Sequence, residues 1–163
     1  MAVPPGGQPP STGRHETRNA RNDRPLTGAA ARARILHWGF IAGGLVTISD
    51  LASAAYANAT SAGTTDDLGL TLGLFISMGL YWFAGMMVAR ETGSISFGVL
   101  GGALAGAVDG LVVGTVAAIQ VSSMADGAPL EAFLGSLWLN LTVAMISGAA
   151  GAWLSTMTPQ RPR

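Results

Sequence analysis

The chain has no cysteine and no lysine, and it carries only two histidines. Without cysteine there are no disulfides and no thiolate metal sites. His15 and His37 cannot assemble a zinc or haem site at workable spacing, so no metal or cofactor is expected. Charge is scarce as well, at 11% of residues with a formal net charge of zero, which excludes the clustered basicity of a nucleic-acid binder. No Ser/His/Asp set, phosphate-binding loop or metalloprotease helix can be assembled, and the chain is not expected to be an enzyme. An intramembrane acid/base pair remains conceivable, but the flanking motifs it would need are missing.

What is abundant is apolar surface. Hydrophobic residues make up 49% of the chain, and the charges crowd into the first 34 residues and the short connectors. Four long segments are left almost free of charge, a pattern that reads as an all-α integral membrane four-helix bundle. The spans are expected at about 35–58, 67–89, 95–119 and 130–156, giving a transmembrane domain over 35–157. Residues 1–34, with Pro4, Pro5, Pro9, Pro10 and Pro25 among Gly, Ser, Asn and Arg, read as a disordered tail. Residues 158–163 form a short C-terminal tail. Trp38 and Tyr56 sit where interfacial aromatics belong, Asp66 and Asp67 suit a helix start, Gly93 suits a stop, and Pro129 suits a first turn.

All nine basic residues are arginines, and an even number of spans puts them on one side: six in the tail, Arg90 in the second connector, Arg161 and Arg163 at the end. The positive-inside rule then places both termini in the cytoplasm of a cell that sorts this chain to its inner membrane. The tail arginines either rest on anionic lipid or simply set orientation.

Glycine recurs at every fourth position through Gly98, Gly102, Gly106, Gly110 and Gly114. Each mid-helix glycine would cost roughly 1 kcal/mol against alanine in water, so such a ridge implies close helix contact. It packs either inside the bundle or against a second copy or a membrane partner. Gly39 and Gly43 belong to a related pattern. Gly39 to Asp50 and Gly98 to Asp109 both follow G-x3-G-x-L-x4-D, and the same offset pairs Asp67 with Asp126, Ser77 with Ser136 and Met86 with Met145. A two-helix repeat about an axis along the membrane normal would put Asp50 and Asp109 at one depth, about 21 Å from the inner ends of their helices and in the outer half of the bilayer.

An ionisable side chain in a span costs about 2.5–3.5 kcal/mol on insertion scales and is a functional candidate by default. With no arginine or lysine at that depth, at least one of the two acids is expected to rest protonated, and the pair to titrate together if they touch. Ser77, Ser136 and Asn140 are the expected hydrogen-bond partners, alongside Thr47. Asp66, Asp67, Asp126 and Glu131 on the outer side would either concentrate cations or act as solvated helix starts.

Two functional expectations follow. In the first, a non-enzymatic membrane component packs as an oligomer, or as a subunit of a membrane complex, through the Gly98–Gly114 ridge. In the second, a small proton- or cation-coupled carrier or channel uses Asp50 and Asp109.

Overall fold

A computed structural model describes residues 28–60, 66–124 and 126–157, with backbone alone for 57–60 and 66–70. Four α-helices account for almost all of these residues: α1 (Ala29–Thr60), α2 (Asp66–Thr92), α3 (Ile95–Ser122) and α4 (Pro129–Met157). Among the described residues there is no strand. Each helix is long and apolar enough to cross a membrane, so the chain is a multi-pass membrane protein. Most of the N-terminal tail, residues 61–65 of the first connector and the C-terminal tail lie outside the described residues.

The helices begin and end close to where local chemistry puts them. α1 is the largest departure, starting at Ala29 rather than Ile35. Ala29-Ala30-Ala31-Arg32-Ala33-Arg34 is a run of strong helix formers, so the helix begins before the apolar run that starts at Ile35. Arg32 and Arg34 are therefore helical residues, not part of a loose tail. At the end of α2, Gly93 adopts φ +69° and its N–H donates to the Ala89 carbonyl at 2.8 Å. This left-handed cap lets α3 start two residues later.

Contacts set the direction of each helix. Gly39 and Gly43 of α1 face Leu104 and Val108 of α3 in rising order, so these helices are parallel. The ridge on α3 meets α4 in falling order: Gly98 faces Ala152, Gly102 faces Gly148 and Ala144, Gly106 faces Ala144 and Asn140, Gly110 faces Leu137 and Gly114 faces Phe133. The whole ridge is thus covered by α4 of the same chain. A Cβ on Gly102 would sit 2.7 Å from the Ala144 carbonyl oxygen, and one on Gly110 would sit 3.0 Å from the Leu137 Cα. Backbone replaces side chain at this interface, and dispersion over the near-touching helices offsets the poor helix propensity of glycine.

α2 joins the same contact. Gly85 abuts the Gly148 backbone, Gly151 abuts the Trp82 carbonyl, and a Cβ on Gly98 would lie 2.6 Å from the Gly85 carbonyl oxygen. In cross-section the helices run in the order α1, α2, α4, α3, with α2 and α3 touching across the short diagonal and no contact between α1 and α4 among the described residues. This arrangement corrects the symmetry expected from the repeat. An axis exchanging α1 with α3 and α2 with α4 would require α1 to meet α4 as α3 meets α2, and among the described residues only the second contact is made.

The outward faces carry Phe40, Ile48, Phe75, Trp138 and Ile146, all well exposed, as a lipid-facing surface requires. Replacing Gly148 with leucine forces apart α2, α3 and α4 and is expected to cost about 1–3 kcal/mol or more. Gly79→Ala, at a position with nothing within 4 Å, is expected to be neutral or to stabilise by up to about 1 kcal/mol. Unfolding titrations in mixed detergent micelles, comparing the two variants with the parent, check the contrast.

Candidate functional site

Asp109 lies at the midpoint of α3, wholly inaccessible to solvent. The glycines beside it turn to α4, and its own face, shared with Ala105 and Gly101, turns to α1 and α2. From α2, the Tyr81 hydroxyl donates to Asp109 Oδ2 at 2.9 Å. From α1, Thr47 Oγ1 lies 3.1 Å from Asp109 Oδ1. Each oxygen of the buried carboxyl therefore has a partner on a different helix, and three helices meet at one side chain.

Asp50 does not share this level. It lies one turn further along α1 than Thr47, half-buried, and Ser77 Oγ reaches its Oδ1 at 2.7 Å. Ser77 stands one turn from Tyr81 on α2, in the direction of that helix's start. The five groups form two layers about 5 Å apart. Asp50 and Ser77 make the layer nearer the Thr60/Asp66 end of the bundle, and Asp109, Thr47 and Tyr81 make the central one. Sequence spacing put the two acids at equal depth; the offset between α1 and α3 and the longer α1 separate them.

The proton inventory of both layers is informative. A hydroxyl has a single hydrogen to donate. Thr47 Oγ1 is 2.9 Å from the Gly43 carbonyl oxygen as well as 3.1 Å from Asp109, and Ser77 Oγ is 2.9 Å from the Gly73 carbonyl oxygen as well as 2.7 Å from Asp50. Carbonyl oxygens only accept. If each hydroxyl donates back along its own helix, the short contact to the acid is satisfied by a carboxylic O–H donating to the hydroxyl. Both sites thus accommodate the acid either as a carboxylate or as a neutral carboxylic acid.

Ser136 and Asn140, expected beside the acids, are elsewhere. Both are on α4, across α3 from the cluster, and Asn140 packs its backbone and Cβ on Gly106 and Gly110. Tyr81 was not foreseen. Its signal is present, because it lies four residues after Ser77 on the same helical face, and a tyrosine hydroxyl in an apolar span needs a partner. Gly39 and Gly43 are brought to the site from the other side, since they let α1 approach α3 closely enough for Thr47 to reach Asp109.

A separate polar contact closes the opposite end of the α1–α2 pair. Arg34 Nε pairs with Glu91 Oε2 at 3.2 Å, and Trp38 Nε1 donates to Glu91 Oε1 at 3.1 Å. Trp38 also meets Phe83 edge to face, with centroids 5.8 Å apart. Glu91 escaped the sequence reading because α2 was expected to end at Ala89. Asp126 and Glu131 are exposed, the side chains of Asp66 and Asp67 lie outside the described residues, and no group of three metal-ligating side chains occurs among the described residues.

Comparison with family models, with curated proteins and with solved structures returns no match. The reading of this site accordingly rests on its geometry. Tyr81→Phe and Thr47→Val each leave one carboxyl oxygen of Asp109 without its partner, and each is expected to destabilise the bundle by about 1 kcal/mol. Because both act on one group, the double variant should depart from additivity in the same detergent titration.

Proposed function

We propose that this chain is a non-enzymatic inner-membrane protein, with both termini cytoplasmic, that carries protons on the carboxyl groups of Asp50 and Asp109. The observation that carries the reading is the setting of Asp109: at the middle of α3, inaccessible to solvent, and held at hydrogen-bond distance by two hydroxyls from α1 and α2. A hydroxyl is an adaptable partner. It donates to a carboxylate and accepts from a carboxylic acid, so gain or loss of a proton need not break the contact. A permanent cation partner such as arginine would instead fix the acid in its charged form. Arg32, Arg34 and Arg90 near one end of the bundle, with Asp126 and Glu131 at the other, support the orientation.

The second reading is that the chain is a packing component of an oligomer or a larger membrane complex, with the acids serving as neutral glue. It is favoured by the complete hydrogen bonding of Asp109. Because α4 covers the glycine ridge, a second copy or partner would have to seat on one of the lipid-facing surfaces.

Asp109→Asn separates the two. The amide keeps the shape and most of the hydrogen bonding but cannot exchange a proton. In proteoliposomes loaded with a pH-sensitive dye, the proton-carrying reading predicts loss of protein-dependent proton flux in this variant, with expression and detergent-solubilised size unchanged. Flux equal to that of the parent chain would contradict it.

A further inference from the structure

The two sides of the central layer are chemically unlike. Toward the Thr60/Asp66 end, Asp109, Thr47 and Tyr81 are followed by Asp50 and Ser77, and then by Ser53, whose Oγ lies 3.0 Å from where a Cβ on Gly73 would stand. Ser53 and Asp50 are both half-buried. Polar atoms thus recur at each turn from the centre outward along the α1–α2 seam. Toward the Arg34/Glu91 end, the same seam continues through Val46, Ala42, Ala84, Ala105 and Val88, each at most 3% exposed. Val88 fills the space over Gly101, and Leu104 fills that over Gly39. The stretch from Tyr81 to Glu91 is about 15 Å of helix without a described buried acid, and the Arg34–Glu91–Trp38 contact caps it.

We propose that Asp109 sits at the closed bottom of a one-sided proton well, reached from the Thr60/Asp66 end past Ser53, Asp50 and Ser77 and sealed from the Arg34/Glu91 end by the apolar plug. In this conformation protons enter and leave by that route alone; net flux needs a passing rearrangement of α1 that lets a proton, but not a solute the size of a methanethiosulfonate, cross the plug. A proton taken up at Asp50 neutralises that carboxylate, and its onward transfer to Asp109 returns the charge to Asp50. The titratable groups facing Asp109 are Asp50 from α1 and Tyr81 from α2, while α4 carries only Glu131, exposed in its first turn. Placing a proton in such a well moves charge through part of the membrane thickness, which couples occupancy of Asp109 to membrane potential as well as to pH. The inference rests on the proton-carrying reading for its purpose, but its geometry stands or falls separately.

The natural absence of cysteine makes the test direct. Single variants Ser53→Cys, Ala42→Cys and Ala84→Cys are reconstituted in sealed vesicles and exposed, from either side, to a membrane-impermeant cationic methanethiosulfonate. Labelling is read by the mass of the intact chain. The expected result is an adduct on Ser53→Cys from the Thr60/Asp66 side alone, and none on Ala42→Cys or Ala84→Cys from either side. An adduct on Ala84→Cys or Ala42→Cys from the Arg34/Glu91 side, or protection of Ser53→Cys on its own side, would overturn the proposal. On the unaltered chain, a water-soluble cationic carbodiimide should modify Asp50 from the Thr60/Asp66 side only, and modification from the other side, or none, would also overturn it. Loss of sidedness with intact flux would remove the well and leave proton carriage. Sidedness without flux would do the reverse.

Discussion

A buried carboxyl group at the middle of a membrane-spanning helix has to be satisfied there, and the arrangement of α1, α2 and α3 follows from that requirement. Thr47 and Tyr81 can reach Asp109 only if α1 and α2 both lie against the same face of α3. Gly39 and Gly43 make the approach of α1 close enough, and Gly101 does the same for α2 under Val88. The neighbouring face of α3 is then left to the glycine ridge, which takes α4 at backbone distance. α3 is therefore the axis of the bundle, with hydrogen bonding on one side and dispersion on the other. Neither interaction relies on apolar burial from water, which has no driving force between helices already in lipid.

The two kinds of contact have different consequences for motion. Glycine-mediated packing tolerates almost no displacement, because a shift large enough to separate the backbones loses the contacts that offset the glycines. Hydroxyl-to-carboxyl bonds are adaptable, since each partner can exchange the roles of donor and acceptor. The rigid part is thus α2, α3 and α4 around Gly85, Gly102 and Gly148, and the adaptable part is the α1–α2 seam over Asp109 and Asp50. A proton-dependent change, if coupled to movement, would be borne by α1, which among the described residues touches only α2 and α3.

Much of this was legible in the residues. The charge-free spans gave the four helices to within a few residues at most ends, and the glycine period, set beside a lone acid, gave α3 its two faces. The ends that slipped did so for local reasons: Ala29 to Arg34 is helical by propensity rather than by hydropathy, and Glu91 and Thr92 extend α2 because the stop is made by the left-handed Gly93. The partner of Asp109 was harder. Sequence spacing can place Thr47 and Asp50 on one helical face, but which helix supplies the remaining donor depends on the cross-sectional order, and the repeat pointed to a symmetry that the packing does not have. Ser136 aligned with Ser77 in sequence yet lies across α3 from the acids, whereas Tyr81, without an aligned acid or hydroxyl to mark it, supplies the bond.

The central claim is a carboxyl group of Asp109 that gains and loses a proton while held by Tyr81 and Thr47 inside the bundle, and infrared spectroscopy of the reconstituted protein as a function of pH addresses it directly. The account predicts a carboxylic C=O stretching band that grows on acidification, is lost in Asp109→Asn and moves to the frequency of a less strongly bonded acid in Tyr81→Phe. A spectrum in which Asp109 contributes only carboxylate bands, or a carboxylic band indifferent to Tyr81, would contradict it.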